Sequence, residues 1–273
     1  MKIAITGANS NLAKYLLPRL GKNFQGIEIS EFSSTPTKLQ KNFSVSGNFD
    51  LTEFEEIHSL IHCARQYTPD FESINREIEI LDQISSLGIK IFNIGSVSSY
   101  LQERNVYGNY KKIISDWTVG NGHSNIVCGL IFGKEFFGQI YQLRRILKYI
   151  PVVPKFSEEG DVFLSYSIDI LDKLLKGLIG EKFINSYLIS EKPIRINGFL
   201  RDLSGKYSLS LIVSKRIIKN ILEIFPRNNY FNSDSFTGFN AKYNKFNAES
   251  KNFLDFSYIE NRWREYIDFR SIE

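Results

Sequence analysis

Tyr107 and Lys111 stand four residues apart in the run YGNYK, and Ser96 closes the run IFNIGS before them. A phenol, an ammonium and an alcohol are the groups that reduction of a carbonyl requires. As hydride arrives, negative charge develops on the carbonyl oxygen, which needs a proton donor within reach and a second donor to orient it. Tyr107 is the candidate acid. A free phenol ionises only near pH ~10, and a neighbouring ammonium lowers that value by favouring the phenolate. On a helix, Lys111 lies on the same face one turn later, where it can do this. Ser96 would hydrogen-bond the reacting oxygen.

Hydride needs a carrier, and the chain opens with KIAITGANSNLA. The turn from Thr6 to Ala13 lies between an apolar strand and a helix, where backbone amides and the positive helix end can hold a pyrophosphate. Gly7 permits the tight turn, with Asn9, Asn11 and Leu12 beside it. Ser10 and Ala13 stand where the three-glycine dinucleotide fingerprint places its second and third glycines, so Ser10 is a departure. At the end of the second strand a carboxylate would accept from the ribose of NAD, and neutral or basic residues would admit the phosphate of NADP. Glu31 offers the first reading; Ser30, Ser33, Ser34 and Lys38 offer the second. Both cofactors stay open.

The elements that must position these groups alternate. Strands are expected at Lys2–Thr6, 26–32, 60–64, 90–94 and 125–132. Helices are expected at 11–22, carrying Pro18, and at 53–60, 74–87 and 110–120. Such a rhythm describes an α/β, Rossmann-like, doubly wound parallel sheet. On the third helix Ile74, Ile78, Leu81, Ile84 and Leu87 form the expected apolar side, closed by Gly88. After Gly133 the pattern changes to a basic helix at 139–149, a break at PVVP, a strand at 162–166 and a helix at 168–179. From Pro193 onward Asn, Phe and Tyr dominate, most of all in 227–247. The expected organisation is a dinucleotide domain of 1–133 and 162–190, with a smaller discontinuous substrate lobe of 134–161 and 191–273.

Composition narrows the class. The chain has 273 residues, 42% hydrophobic and 23% charged, which suits a packed globular protein. Its 34 basic and 30 acidic residues give a thinly spread charge of +4. That speaks against nucleic acid as a partner and suits a small anionic ligand. Cys63 and Cys128 sit in apolar runs without a disulfide pattern, so a reducing cytoplasm is expected. His58, His62 and His123 show no metal-ligand spacing, and no metal is expected. Neither a signal peptide nor a membrane span is anticipated, since Met1 runs straight into a β run and no apolar stretch reaches ~18 residues.

TGANSNLA, Asp50-Leu51, IHCAR, Asn75, GSVSSY, YGNYK, FGKE and LSYSIDIL together resemble the extended short-chain dehydrogenases/reductases, in the NAD-dependent epimerase/dehydratase group that acts on nucleotide sugars. The likeness covers roughly residues 1 to 180. It implies that Gly7, Ser10 and Ala13 line the pyrophosphate, that Asp50 and Leu51 lie near the adenine, and that Cys63, Ala64, Arg65 and Asn75 border the cofactor, NADP or NAD. Arg65 stands where the group has a small residue. It also implies a nucleotide-sugar substrate and leaves a homodimer as a candidate assembly.

The resemblance separates reactions as well. Dehydratases of the group carry Asp-Glu after the hydroxyl residue, where this chain has Val97 and Ser98. Members that epimerise beside the ketone use a cysteine at the place of Ser98. Redox at a single carbon remains, as a 4-ketoreductase or as a 4-epimerase with tightly held NAD, and a silent cofactor sensor is the reading from another class. Ser98, Arg144, Arg145 and Arg227 are candidate substrate contacts, with Arg195 and Arg201 as further diphosphate candidates because a guanidinium matches phosphate oxygens in pairs. Tyr230, Phe231 and Phe236 could stack a base.

Overall fold

The computed structural model describes residues 1–24, 26–44, 50–64, 66, 69–101, 104–135, 138–149, 152–156, 160–204, 209–213 and 253–271. By contacts the chain divides into two units. One comprises Met1–Ser96, Tyr110–Val127 and Ile168–Ser186; the other comprises Val97–Asn109, Cys128–Ser167 and Tyr187–Glu273.

The main sheet runs through β1 (Lys2–Thr6), β2 (Glu28–Ser33), β3 (Lys41–Asn42), β4 (Ser59–His62), β5 (Lys90–Ser96), β6 (Ser124–Cys128) and β11 (Asn185–Tyr187). Their order is β11-β6-β5-β4-β1-β2-β3. β1 pairs in parallel with both β2 and β4, β2 with β3, and β4 with β5. Parallel neighbours need crossovers, supplied by helices such as α1 (Asn11–Asn23), α2 (Phe71–Ser86) and α3 (Val106–Gly120). Strand order reverses between β1 and β4, and ligands of open α/β sheets bind outside the carboxyl ends of the strands at such a point. Ile3, Ile5, Leu60, Ile61 and Ile91 are buried, as strands covered on both faces require.

The expected helix at 53–60 is absent. A 3-10 turn, Leu51–Phe54, takes its place, with Phe54 stacked on Phe32 at 4.5 Å between ring centroids. The next residues are drawn into β4, because Leu60 and Ile61 are needed between β1 and β5. On α2 the buried side holds Ile74, Glu77, Ile80, Leu81 and Ile84, whereas Leu87 is exposed. Glu77, rather than Ile78, is thus a member of the inward stripe. α3 begins four residues before the expected start at Tyr110.

In the second unit the expected strand 125–132 proves to be two. β6 stays in the main sheet, and β7 (Leu130–Phe132) pairs in parallel with β10 (Leu164–Tyr166). Gly129 makes the switch: a β-carbon there would stand 2.1 Å from the Phe163 carbonyl oxygen. The strand expected at 162–166 divides likewise, into β9 (Asp161–Val162), antiparallel to β12 (Ile194–Arg195), and β10. Where PVVP suggests a break, β8 (Val152–Phe156) pairs with β13 (Leu209–Val213). Pro154 is tolerated because it lies in a two-stranded sheet, where a missing donor need not cost a ladder bond. Helices α4 (Gln139–Tyr149) and α6 (Ile196–Ser204) pack around the same core, as does α7 (Phe256–Ser271), whose Trp263 stacks on Phe199 and meets Phe132 edge-on. The chain's last helix is therefore core of this unit. Its aromatic rings supply area and orientation together.

Candidate active site

Gly7 has a φ of +68°, which favours glycine. Space demands it too. A β-carbon at Gly7 would lie 2.7 Å from backbone atoms of Cys63 and Ala64, so the glycine turn and the end of β4 are in contact through bare backbone. Ser10 is the N-cap of α1: its Oγ accepts from Ala13 N at 3.2 Å. The residue that departs from the glycine fingerprint thus satisfies one of the orphan donors at the helix start. Asn11, Leu12 and Ala13 form the first turn behind it, with Leu12 and Ala13 buried.

The end of β2 carries the candidates for both cofactor readings. Asn9 Nδ2 donates to Ser33 Oγ at 2.8 Å and to the Thr35 carbonyl at 2.8 Å, tying the glycine turn to Ser33. Glu31 instead accepts from Gln40 Nε2 at 2.9 Å. Asp50 caps the 3-10 turn, accepting from Thr52 Oγ1 at 2.7 Å and Thr52 N at 3.0 Å, and these bonds hold its carboxyl below the usual range. Leu51 follows, half-buried, and Asn75 is exposed on α2.

Cys63 is buried, and burial pushes its thiol up to about 12 against the opposing pull of the Lys111 ammonium. Such a thiol is inert. Lys111 is only 4% exposed and donates from Nζ to the Ile94 carbonyl at 3.1 Å, two residues before Ser96 at the end of β5. Tyr107 lies one turn earlier on α3 and is half-buried. The helix start is fixed by Asn105, whose Oδ1 accepts from Gly108 N at 2.8 Å. Ser98 lies in the 3-10 turn Val97–Tyr100, and its carbonyl faces Gly108.

The arginine candidates diverge. Arg144 donates to the Ile267 carbonyl at 3.4 Å, and Arg145 is exposed on α4. Arg195 pairs with Asp161 at 2.9 Å, and Arg201 is exposed on α6. Arg65, Arg227, Tyr230, Phe231 and Phe236 lie outside the described residues.

A buried polar cluster escaped the sequence reading. Glu77 and His62 are both fully buried. His62 has Nδ1 2.8 Å from Thr6 Oγ1 and Nε2 2.9 Å from Glu77 Oε1. Tyr110 OH donates to Glu77 Oε1 at 2.9 Å and Gln66 Nε2 to Oε2 at 2.6 Å. Burial works against the charged carboxyl, but bonds from His62, Gln66 and Tyr110 outweigh it and hold Glu77 below the usual carboxylate range. The signal was present in spacing: 74, 77, 81 and 84 are a helical stripe.

No known family's sequence profile and no curated protein sequence matches this chain. Solved structures do. TunA, an NAD-dependent NDP-hexosamine 5,6-dehydratase of tunicamycin biosynthesis, is 13% identical with a TM-score of 0.67, over 100% of this chain and 98% of its own. A dTDP-4-dehydrorhamnose reductase from Clostridium acetobutylicum is 14% identical with a TM-score of 0.64, over 99% of this chain and 100% of its own. Helicobacter pylori ADP-L-glycero-D-manno-heptose-6-epimerase is 13% identical with a TM-score of 0.65, over 98% and 95%. The fold is that of the short-chain dehydrogenases/reductases. Within the short-chain dehydrogenase/reductase fold, the glycine turn, the ends of β2 and β4, and the end of β5 all belong to the carboxyl edge of the sheet.

Proposed function

We propose that this chain is an NADPH-dependent 4-ketoreductase acting on a nucleotide-linked sugar. The observation that carries the reading is Lys111, buried and bonded to the Ile94 carbonyl, with Tyr107 one turn before it on the same helix. Gly7 and the start of α1 fit a pyrophosphate, since Gly7 turns the chain with bare backbone into a helix N-terminus whose amides favour an anion. When bound, the nicotinamide supplies hydride to the carbonyl carbon. Tyr107 gives its phenolic proton to the carbonyl oxygen, so that one hydride and one proton turn the ketone into an alcohol. Lys111 keeps the phenolate favourable by its charge, and Ser96 donates to the same oxygen. The bond from Asn9 to Ser33, with Glu31 held by Gln40, supports NADPH over NADH, because a hydroxyl and not a carboxylate is tied to the turn.

In this reading residues 1–133 and 162–190 hold the dinucleotide, and 134–161 with 191–273 take the sugar nucleotide, Ser98, Arg144, Arg145 and Arg227 being its contacts. The enzyme works in the cytoplasm, where NADPH is regenerated and the buried thiols of Cys63 and Cys128 stay reduced. Among the described residues no helix is long and apolar enough to cross a membrane.

The test is oxidation of NADPH, followed by its absorbance, with a panel of nucleoside-diphosphate 4-keto sugars. Turnover that leaves a C4 alcohol and free NADP supports the reading. If instead NAD copurifies with the protein and C4 inverts without net redox, the enzyme is a 4-epimerase. If no panel member turns over in a protein that binds the nucleotide, the cofactor-sensing reading takes over.

A further inference from the structure

Glu77 has no place in the proton and hydride transfers above, yet it occupies a costly position for a charge. A carboxylate with no exposure sits in a helix stripe otherwise made of Ile74, Ile80, Leu81 and Ile84. Replacing the whole cluster by apolar side chains is often at least as stabilising, whereas removing Glu77 alone strands the buried donors of His62, Gln66 and Tyr110. Directional bonds provide what apolar packing does not, a fixed orientation of the elements that carry the donors.

Those donors stand on elements that build the candidate site. His62 ends β4, just before the Cys63–Ala64 backbone that touches Gly7. Thr6, bonded to the far side of the His62 ring, immediately precedes Gly7. Gln66 lies in the chain that leaves β4 and is also anchored to the Ser73 carbonyl at 3.1 Å. Tyr110 is the residue before Lys111 on α3, and its hydroxyl reaches both Glu77 oxygens, at 2.9 and 3.1 Å. With Glu77 ionised, His62 donates from Nε2, and in a neutral ring Nδ1 then accepts from the Thr6 hydroxyl. One carboxylate thus ties the glycine turn, the end of β4 and the helix of Lys111 to a single point.

We infer that Glu77 is a positioning residue: acting through Tyr110 and His62, it sets the rotation of α3 and the seat of Lys111 relative to the dinucleotide-binding backbone. The inference rests on the proposed reading of Lys111 and Tyr107. Among the described residues, the charged and titratable groups around the cluster are His62 on β4, Tyr110 and Lys111 on α3, and the Cys63 thiol.

The test compares Tyr110→Phe and Glu77→Gln with the parent, using the full chain. Tyr110→Phe keeps the ring and removes only the bond. Three quantities are measured: the NADPH dissociation constant by fluorescence titration, the pH profile of ketoreduction, and the unfolding temperature. Loss of positioning weakens NADPH binding several-fold and lowers kcat by about 10- to 100-fold. It also raises the kinetic pKa read from the pH profile, because the Lys111 ammonium is displaced. These changes persist well below the unfolding temperature. Two results overturn the inference. The first is a lower unfolding temperature with unchanged binding and pH profile in the folded protein, which makes the cluster structural only. The second is a kinetic pKa that falls in Glu77→Gln, which means that loss of the negative charge, and not displacement of Lys111, dominates. Should Tyr107→Phe retain turnover, the acid assignment fails by itself, and the binding titration still decides the role of Glu77.

Discussion

Gly108 and Ser98 are in backbone contact: a β-carbon at Gly108 would stand 2.6 Å from the Ser98 carbonyl oxygen. The first turn of α3, with Tyr107 in it, therefore lies against the turn that follows Ser96, and glycine is what permits the approach. Gly108→Ala forces one of the two backbones to move. It should cost about 1–3 kcal/mol of stability, the usual range for overpacking. Activity should fall more than stability does, because the displaced element bears Tyr107. Thermal unfolding and kcat measured on the same preparation check this.

Tyr107→Phe should lower kcat by about 10²- to 10⁴-fold, the range for a lost general acid, while NADPH binds as in the parent. Lys111→Met should damage both, since it removes the charge proposed to act on the phenol and the bond to the Ile94 carbonyl. Retention of most activity by Tyr107→Phe sinks the assignment of the acid. Nucleotide titrations alongside steady-state rates separate the two variants.

Ser33→Asp places a carboxylate where Asn9 now bonds a hydroxyl. It should shift preference from NADPH toward NADH, read as the ratio of the two kcat/KM values. Glu31→Gln should leave that ratio near the parent's, because the native carboxylate is already taken by Gln40. A larger shift from Glu31→Gln than from Ser33→Asp would reverse the assignment.

His123 gives the protein an acid-side sensitivity. Its Nε2 lies 2.9 Å from Ser85 Oγ, and Nδ1 accepts from Ile91 N at 3.4 Å. A proton on Nδ1 would confront the Ile91 N–H. Burial, aided by the Lys90 charge and opposed by Asp82, lowers its pKa from 6.5. The unfolded chain thus takes up the proton first as pH falls. Stability is complete above about pH 6.5 and declines below it, until the folded value is reached. Urea unfolding at pH 7.5 and 5.5 should show the loss, and His123→Gln should reduce it.

Glu77 adds a second, lower window. Its folded pKa lies below the ordinary 4.5, so its contribution is present above that pH and is lost as pH falls through the folded value. Acid unfolding of Tyr110→Phe, which removes one donor, should begin at a higher pH than that of the parent.

Residue types and spacing were enough to read the alternation of strands and helices, the glycine turn at Gly7, and the placing of Tyr107 and Lys111 one turn apart on a helix. Each is local: periodicity follows from backbone geometry, a positive φ selects glycine, and an i, i+4 pair on a helix shares a face. The same locality explains the errors. Of the stretch 53–60 expected as a helix, Ser59 and Leu60 are taken into β4 by pairing with β1 and β5, and its start closes as the 3-10 turn Leu51–Phe54. Gly129 gave no local sign that a strand would change sheets there, because the Phe163 carbonyl that excludes a side chain comes from far along the chain.

The sequence alone determined which chemical groups are available and in what order along the sheet edge. Tertiary structure decided which of them are spent and which are poised. It assigned Glu31 to Gln40 and Ser33 to Asn9, turned Ser10 into a helix cap, and drew Glu77 into the core beside His62 and Tyr110. Those choices depend on hydrogen bonds and burial between residues distant in sequence, where a side chain's partner is set by packing and not by its neighbours in the chain.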